Sequence, residues 1–477
     1  MEDIEKATKE LAAPAFDTKH RIFWGLASFG GALISGTYAS LQSIFFTDYL
    51  GLVGPWAYLM ILYSVAYALW NAINDPLFGI WSDRARLKGG RRIPFMRYTA
   101  PFLGIFFVLI WFAPESAPKV VIFWWMLITT FLYDTAYTII FLVYSALLPE
   151  LTENEIERNK LSVFASFFNL LGTIFGILLP GLLLPDDIVN FITLLPLRTT
   201  MIILGVIGAI LVLFTTYKFK ERGEFHKTEE RLGFIDSIKY TFKNKSFLIL
   251  VSANFMSIFI QQMLLGSIFY LADYIMFTDA FLLQIALFLP LLIGIWLTPK
   301  LSAKFGVVRA DQILLVIGAT GLLTIMFFPP SLLYISLAIA GIGLVGPLVL
   351  TNVMWGQVAD EDELKTGKRR EGVYFGMNAL VTKPAQSVAL AIPVILLTLA
   401  NFVPRADGGT PETQVAAVYL AIRIFIGLIP AIALYIEVFI LQLYPLKGEY
   451  WEKVQEEVLE LHGEKKEKLR DIERSGG

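Results

Sequence analysis

The sequence predicts an all-α polytopic membrane protein with about twelve transmembrane helices in two six-helix bundles. Three observations predict it. The 477 residues are 56% hydrophobic and only 17% charged, where a soluble chain would carry about a quarter charged. The mean hydropathy is +0.64. The apolar residues gather into runs near the roughly 20 residues that one helix needs to cross a bilayer.

The first six spans are expected at 22–49, 56–82, 95–113, 119–147, 160–184 and 197–218. A second six are expected at 246–276, 281–301, 311–328, 332–358, 373–402 and 414–444. Prolines and glycines interrupt several of them, which membrane helices tolerate where neighbours re-satisfy the backbone. The expected division is an N-terminal bundle over 1–217, a charged connection over 218–245, a C-terminal bundle over 246–444 and a charged tail over 445–477. Two sets of six spans around a polar connection are the layout of a two-bundle transporter.

Lysine and arginine crowd the 2–3, 6–7 and 10–11 loops, whereas the opposite short loops show only Lys119, Arg198 and Arg405. The positive-inside rule then puts both termini in the cytoplasm of a cell whose plasma membrane the chain crosses repeatedly. The N-terminal MEDIEKATKELAAPAFDTKHR is too polar to read as a signal peptide. FIDSIKYTFKN in the connection spaces its apolar residues helically, as a surface-lying segment would. The tail reads as a solvated helix.

Composition also excludes chemistry. Without cysteine there are no disulfides and no thiolate sites. His20, His226 and His462 lie outside the apolar runs, which argues against a histidine proton relay within the membrane. A net charge of −2 gives no nucleic-acid signature. HExxH, GxSxG and P-loop motifs are absent, so a polytopic enzyme is a distant alternative, as is a sensor. No cofactor is expected.

The second span carries Asp75 beside Pro76 in WNAINDPLFGIWSDRARLKGGRRIPF. Asn71 is four residues earlier and shares its helix face. Pro76 has no N–H and leaves the carbonyl of Ala72 unbonded. A carboxylate, an amide oxygen and a spare carbonyl within one turn suit a hard cation such as Na⁺, while H⁺ would need the carboxylate alone. A carboxylate in a membrane span costs several kcal/mol on insertion scales and marks function by default. Asp134 and Thr138 of span 4 stand four apart. The expected cation set is Asp75, Asn71, Thr138 and Asp134, with Asp75 as the metal ligand.

Lys383 precedes Pro384, roughly 15 Å into span 11 at 1.5 Å per residue, which is too deep for easy snorkelling. Asn254, Gln261 and Tyr270 of span 7, with Asn352 and Trp355 of span 10, could contact solute or knit helices together. Asp83, Arg84 and Arg158 could form cytoplasmic ion pairs in the first bundle, and Asp360 and Arg370 in the second.

NAINDPLFGIWSDRAR resembles the helix-2 signature of the glycoside–pentoside–hexuronide:cation symporters, a branch of the major facilitator superfamily that includes the melibiose carriers. VADEDELKTGKRREGVYFGMNALVTKPAQ and GFIDSIKYTFKNKSFLILV are similar to that family's 10–11 loop and linker. The resemblance implies the major facilitator fold and alternating access. It implies that Asp75 is the principal cation carboxylate, Thr138 a cation-site hydroxyl and Lys383 a lysine near both sites. It implies that Gly79, Asp83 and Arg84 belong to a cytoplasmic gating motif.

Departures from the melibiose carriers are as informative. Asn71 stands for a second helix-2 aspartate, Ala32 for the span-1 sugar-binding aspartate, and Phe141 for the span-4 aspartate. Ser145 replaces a tryptophan and Ser166 the span-5 arginine. The galactoside clamp is therefore missing. The expected function is Na⁺- or H⁺-coupled symport of a glycoside or related small organic solute. The alternative is a lysolipid-type or other anionic amphiphile, as the vertebrate lysolipid:sodium symporters resemble the same family.

Overall fold

The computed structural model describes residues 16–84, 92–151, 155–181, 184, 190–219, 241–366, 371–458 and 460–461. The surface-helix segment of the connection, the end of the tail, Glu153, Lys368, Arg369 and Arg370 lie outside them. The regular elements are helical. The first half supplies α1 (Thr18–Ile44), α2 (Ala57–Arg84), α3 (Ile93–Trp111), α4 (Lys119–Leu151), α5 (Glu155–Gly181) and α6 (Leu195–Lys218). The second supplies α7 (Lys245–Tyr270), α8 (Ala280–Phe288), α9 (Leu291–Phe305), α10 (Val307–Thr324), α11 (Leu333–Gly343), α12 (Val345–Thr366), α13 (Glu371–Leu399), α14 (Ala416–Arg423) and α15 (Ile429–Gln442).

Eleven helical stretches among the described residues are long and apolar enough to cross a membrane. The helix α1 is 27 residues long, but glycine, serine, threonine and glutamine dilute its hydropathy. Three expected spans are broken. Span 8 divides into α8 and α9 before Pro290, and span 10 into α11 and α12 at Leu344. Span 12 winds through a π-turn at Ile424–Leu428 between α14 and α15. Gly306, at φ +80°, makes the one-residue turn from α9 to α10, a backbone conformation that glycine adopts without strain.

The chain forms two compact units. The first contains residues 1–229 together with 279–281 and 394–418. In it α1 packs on α5 and α6, α3 on α4 and α6, and α2 on α4. Small residues permit these close approaches. A Cβ on Gly172 would lie 2.4 Å from the Phe29 carbonyl oxygen, and one on Gly176 would lie 2.3 Å from that of Leu33. The Thr37 hydroxyl donates across this seam to the Gly176 carbonyl at 2.9 Å.

The second unit contains residues 230–278, 282–393 and 419–477. Its centre is α10, packed on α11, α12 and α15, with α7 against α15 and α12. The side chain of Asn244 caps α7 by accepting from the Phe247 N–H at 3.1 Å.

Lys119, Arg198 and Arg405, the sparse basic residues of the short loops, are all engaged within the first unit. Lys119 donates to the Leu50 carbonyl at 2.9 Å. Arg198 is buried and reaches Glu115 at 2.7 Å and the Ala113 and Trp111 carbonyls. Arg405 pairs with buried Asp48 at 2.8 Å.

Candidate functional site

Helix α2 divides its surface by polarity. Tyr58, Leu62, Val65, Leu69, Ile73 and Leu77 form an exposed stripe at three- and four-residue spacing. Tyr63, Ser64, Tyr67, Asn71 and Asn74 form the buried face. An apolar outer face suits lipid, and polar groups turned inward find protein partners instead.

Asp134 of α4 meets that inner face. Asn74 Nδ2 donates to Asp134 Oδ2 at 2.8 Å and to Thr138 Oγ1 at 3.1 Å. The Tyr67 hydroxyl donates to Asp134 Oδ1 at 3.1 Å. The four-residue spacing of Asp134 and Thr138 thus gives one acceptor surface read by a single amide. The carbonyl oxygen of Asn74 is buried and has no hydrogen-bond partner. An orphaned amide oxygen beside a carboxylate and a hydroxyl is an oxygen set suited to a small hard cation.

Tyrosines wall this cluster. The Tyr38 and Tyr63 hydroxyls are hydrogen-bonded at 2.7 Å. Tyr63 stacks on Tyr67 with centroids 5.7 Å apart, and Tyr133 lies 5.0 Å from Tyr38 and 6.0 Å from Tyr137. Bulky rings exclude water, so each polar contact among them acts in a low dielectric.

Of the expected cation residues, the structure brings Asp134 and Thr138 together. Asn71 is buried, but its Nδ2 donates to the Tyr67 carbonyl of its own helix at 3.1 Å. Asp75 lies in α2, one residue beyond Asn74; its side chain is outside the described ones, as are those of Gly79, Asp83, Arg84 and Arg158. Sequence reasoning missed Asn74 and Tyr67. The available signal was the run Tyr63, Tyr67, Asn71 and Asn74, spaced four, four and three along one face.

The expected solute residues belong to the second unit and do not gather at one point. Asn254 donates to Asn378 Oδ1 at 2.8 Å, tying α7 to α13. Gln261 is exposed. Tyr270 is fully buried, stacked on Tyr274 at 6.2 Å and edge-on to Phe425 at 5.8 Å. Asn352 is exposed and donates to the Leu348 carbonyl of its own helix. Trp355 is buried against Phe247, centroids 5.7 Å apart. Lys383 sits half-buried in α13 immediately before Pro384.

At the helix ends, Glu157 accepts from Arg21 and Lys160, each at 2.9 Å. The Lys160 and Arg21 hydrogen bonds hold its carboxyl below the usual glutamate range. In the acidic run beginning at Asp360, buried Glu361 pairs with Lys365 at 2.6 Å and accepts from the Tyr450 hydroxyl at 3.0 Å.

Comparison with known proteins agrees with this architecture. Residues 23–448 match the family model described as MFS/sugar transport protein. The chain is 26% identical to the symporter YnaJ of Bacillus subtilis (strain 168), over 92% of this chain and 94% of that one. It is 22% identical to the sodium-dependent lysophosphatidylcholine symporter 1 of Gallus gallus, over 82% and 80%. Among solved structures, the fold is shared with a D-xylose-proton symporter at a TM-score of 0.62 and 16% identity, covering 89% of this chain and 98% of that chain. It is also shared with a bacterial homolog of the human lysosomal transporter Spinster at 0.66 and 12%, covering 90% and 98%. These likenesses, with the polytopic helical fold, identify the chain as a transporter and not an enzyme: it belongs to the MFS/sugar transport protein family.

Proposed function

We propose that this protein is a secondary active transporter that couples a small organic solute to a Na⁺ or H⁺ gradient by alternating access. The observation that carries the reading is the buried cluster of Asp134, Thr138 and Asn74, with its unpartnered amide oxygen. Asp75 follows Asn74 directly and completes the cation site, with Asn71 lining it. Cation binding neutralises a buried charge and thereby favours the solute-loaded state, and linkage makes that effect reciprocal. Lys383 is the solute-binding lysine of the second unit, suited to an anionic solute group. Gly79, Asp83, Arg84 and Arg158 act in the gate of the first bundle (1–217), Asp360 and Arg370 in that of the second (246–444). The working location is a plasma membrane, with both termini cytoplasmic.

A sugar or glycoside is the solute class that the family description favours. One observation favours an amphiphile instead. The Phe141 ring packs so tightly on α1 that a Cβ on Gly31 would lie 1.9 Å from its outermost carbon. Position 141 is therefore filled by a ring packed on α1 and offers no hydrogen-bonding group to a sugar hydroxyl.

The test is uptake into proteoliposomes across a panel of sugars and lysolipids, with and without Na⁺ and at several pH values. A solute whose uptake needs the cation in wild type, and no longer responds to it in Asp75→Asn or Asp134→Asn, supports the reading. Unchanged cation dependence in both variants refutes the site.

A further inference from the structure

The second unit holds two membrane-buried carboxyl groups that the cation cluster does not use. Asp311 on α10 is fully buried, and neither of its carboxyl oxygens has a hydrogen-bond partner. Glu437 on α15 is equally buried; Oε1 accepts from the Ser257 hydroxyl of α7, and Oε2 has no partner. The two acids flank one helix contact. Gln312, next to Asp311, donates to the carbonyl of Val438, next to Glu437, at 2.9 Å. Gly346 of α12 closes the space, since a Cβ there would lie 2.4 Å from Asp311 Oδ1.

The described residues of the surrounding helices bring no cation to this pair. Arg309, two residues before Asp311, is exposed. On α9, Lys300 lies over the Trp296 ring and Lys304 over that of Phe305. Arg423 donates to the Ile325 and Phe328 carbonyls. The Tyr334 hydroxyl of α11 meets Thr278, and that of Tyr435 on α15 meets Thr320. The acidic run from Asp360 and its partner Lys365 stand about four to five turns along α12 from Gly346. Tyr270 of α7 packs against Tyr274 and Phe425.

Two carboxylates buried on either side of one helix contact, with no counter-charge from the described residues, cannot both stay ionised at reasonable cost. A metal cation would want about six oxygen ligands, and this site offers two carboxyls and one hydroxyl. A proton needs one carboxyl oxygen. We propose that Asp311 and Glu437 form a proton-binding carboxyl pair of the second unit that takes up and releases one proton during the transport cycle. The proton adds to a carboxylate oxygen on uptake and leaves the same oxygen on release, with no other bond made or broken. The pair stands independently of which solute is carried and of the cation assignment in the first unit.

The test is infrared difference spectroscopy of the full chain in neutral lipid vesicles, acid against alkaline buffer, with no solute present. The expected result is a protonated-carboxyl C=O component that rises as pH falls. Asp311→Asn and Glu437→Gln each remove it, Ser257→Ala shifts its frequency, and Asp75→Asn leaves it in place. Added Na⁺ at fixed pH does not abolish it. Circular dichroism melting identifies any variant that fails to fold, and the remaining variants then decide. A component unchanged in every folded variant at the pair overturns the proposal. So does one that never titrates while the protein stays folded, because the acid is then structural. Loss of the component on adding Na⁺ at constant pH also overturns it, by making the pair a metal-cation site.

Discussion

Arg405 donates to Asp48 twice, from its backbone N–H and from its guanidinium, each at 2.8 Å, and Asp48 is fully buried. The same guanidinium reaches the Tyr49 hydroxyl at 3.2 Å and lies over its ring. The loop after α13 is thereby held against the π-turn that ends α1, within one compact unit.

Removing one member of that pair leaves a buried, uncompensated charge. Arg405→Met should destabilise by about 3–5 kcal/mol, and Asp48→Asn by less, since its amide can still accept from the backbone N–H. The double variant should recover part of the loss. Thermal unfolding of the four proteins in detergent measures the coupling.

Asn74 satisfies Asp134 and Thr138 with one amide nitrogen. Asn74→Ala should remove one hydrogen bond from each of the two acceptors, at a cost of about 1–3 kcal/mol, and weaken the apparent affinity for the coupling cation. Thr138→Ser should retain cation dependence, whereas Thr138→Val, similar in shape but without the hydroxyl, should impair it. Cation titrations of uptake separate these outcomes from simple loss of folded protein.

The seam between α1 and α5 admits no side chain at Gly176. Gly176→Ala places its methyl against the rigid Leu33 carbonyl, so the helices must part, at an expected cost of about 1–3 kcal/mol. Gly176→Leu should abolish folding. The yield of monodisperse protein and its melting temperature report both effects.

Glu157 contributes a pH-dependent increment to stability. Its carboxyl is held below its unfolded value by Lys160 and Arg21. Its stabilisation is therefore present above the unfolded glutamate value and lost as pH falls through the lower folded value. Glu157→Gln should flatten that acid limb and leave stability at neutral pH only slightly lower, since partly exposed pairs contribute little. Melting temperature against pH for both proteins checks the sign.

The sequence by itself determined the class and much of the plan. Hydropathy, helix length and the break in charge pattern are local properties, so they revealed a polytopic helical protein. The i,i+4 spacing of Asp134 and Thr138 placed both on one face of α4, and that relationship survives intact. Tertiary structure decided which partner each face meets. Asn71 and Asn74 are both buried, yet Asn74 bonds Asp134 across to α4 while the Asn71 amide bonds the Tyr67 carbonyl of its own helix, because packing sets the rotation of α2 against α4. Packing likewise left Asp311 and Glu437 without counter-charges in the second unit. Apolar periodicity carries no information about the chemistry of the opposing helix, so neither outcome could be read along the chain.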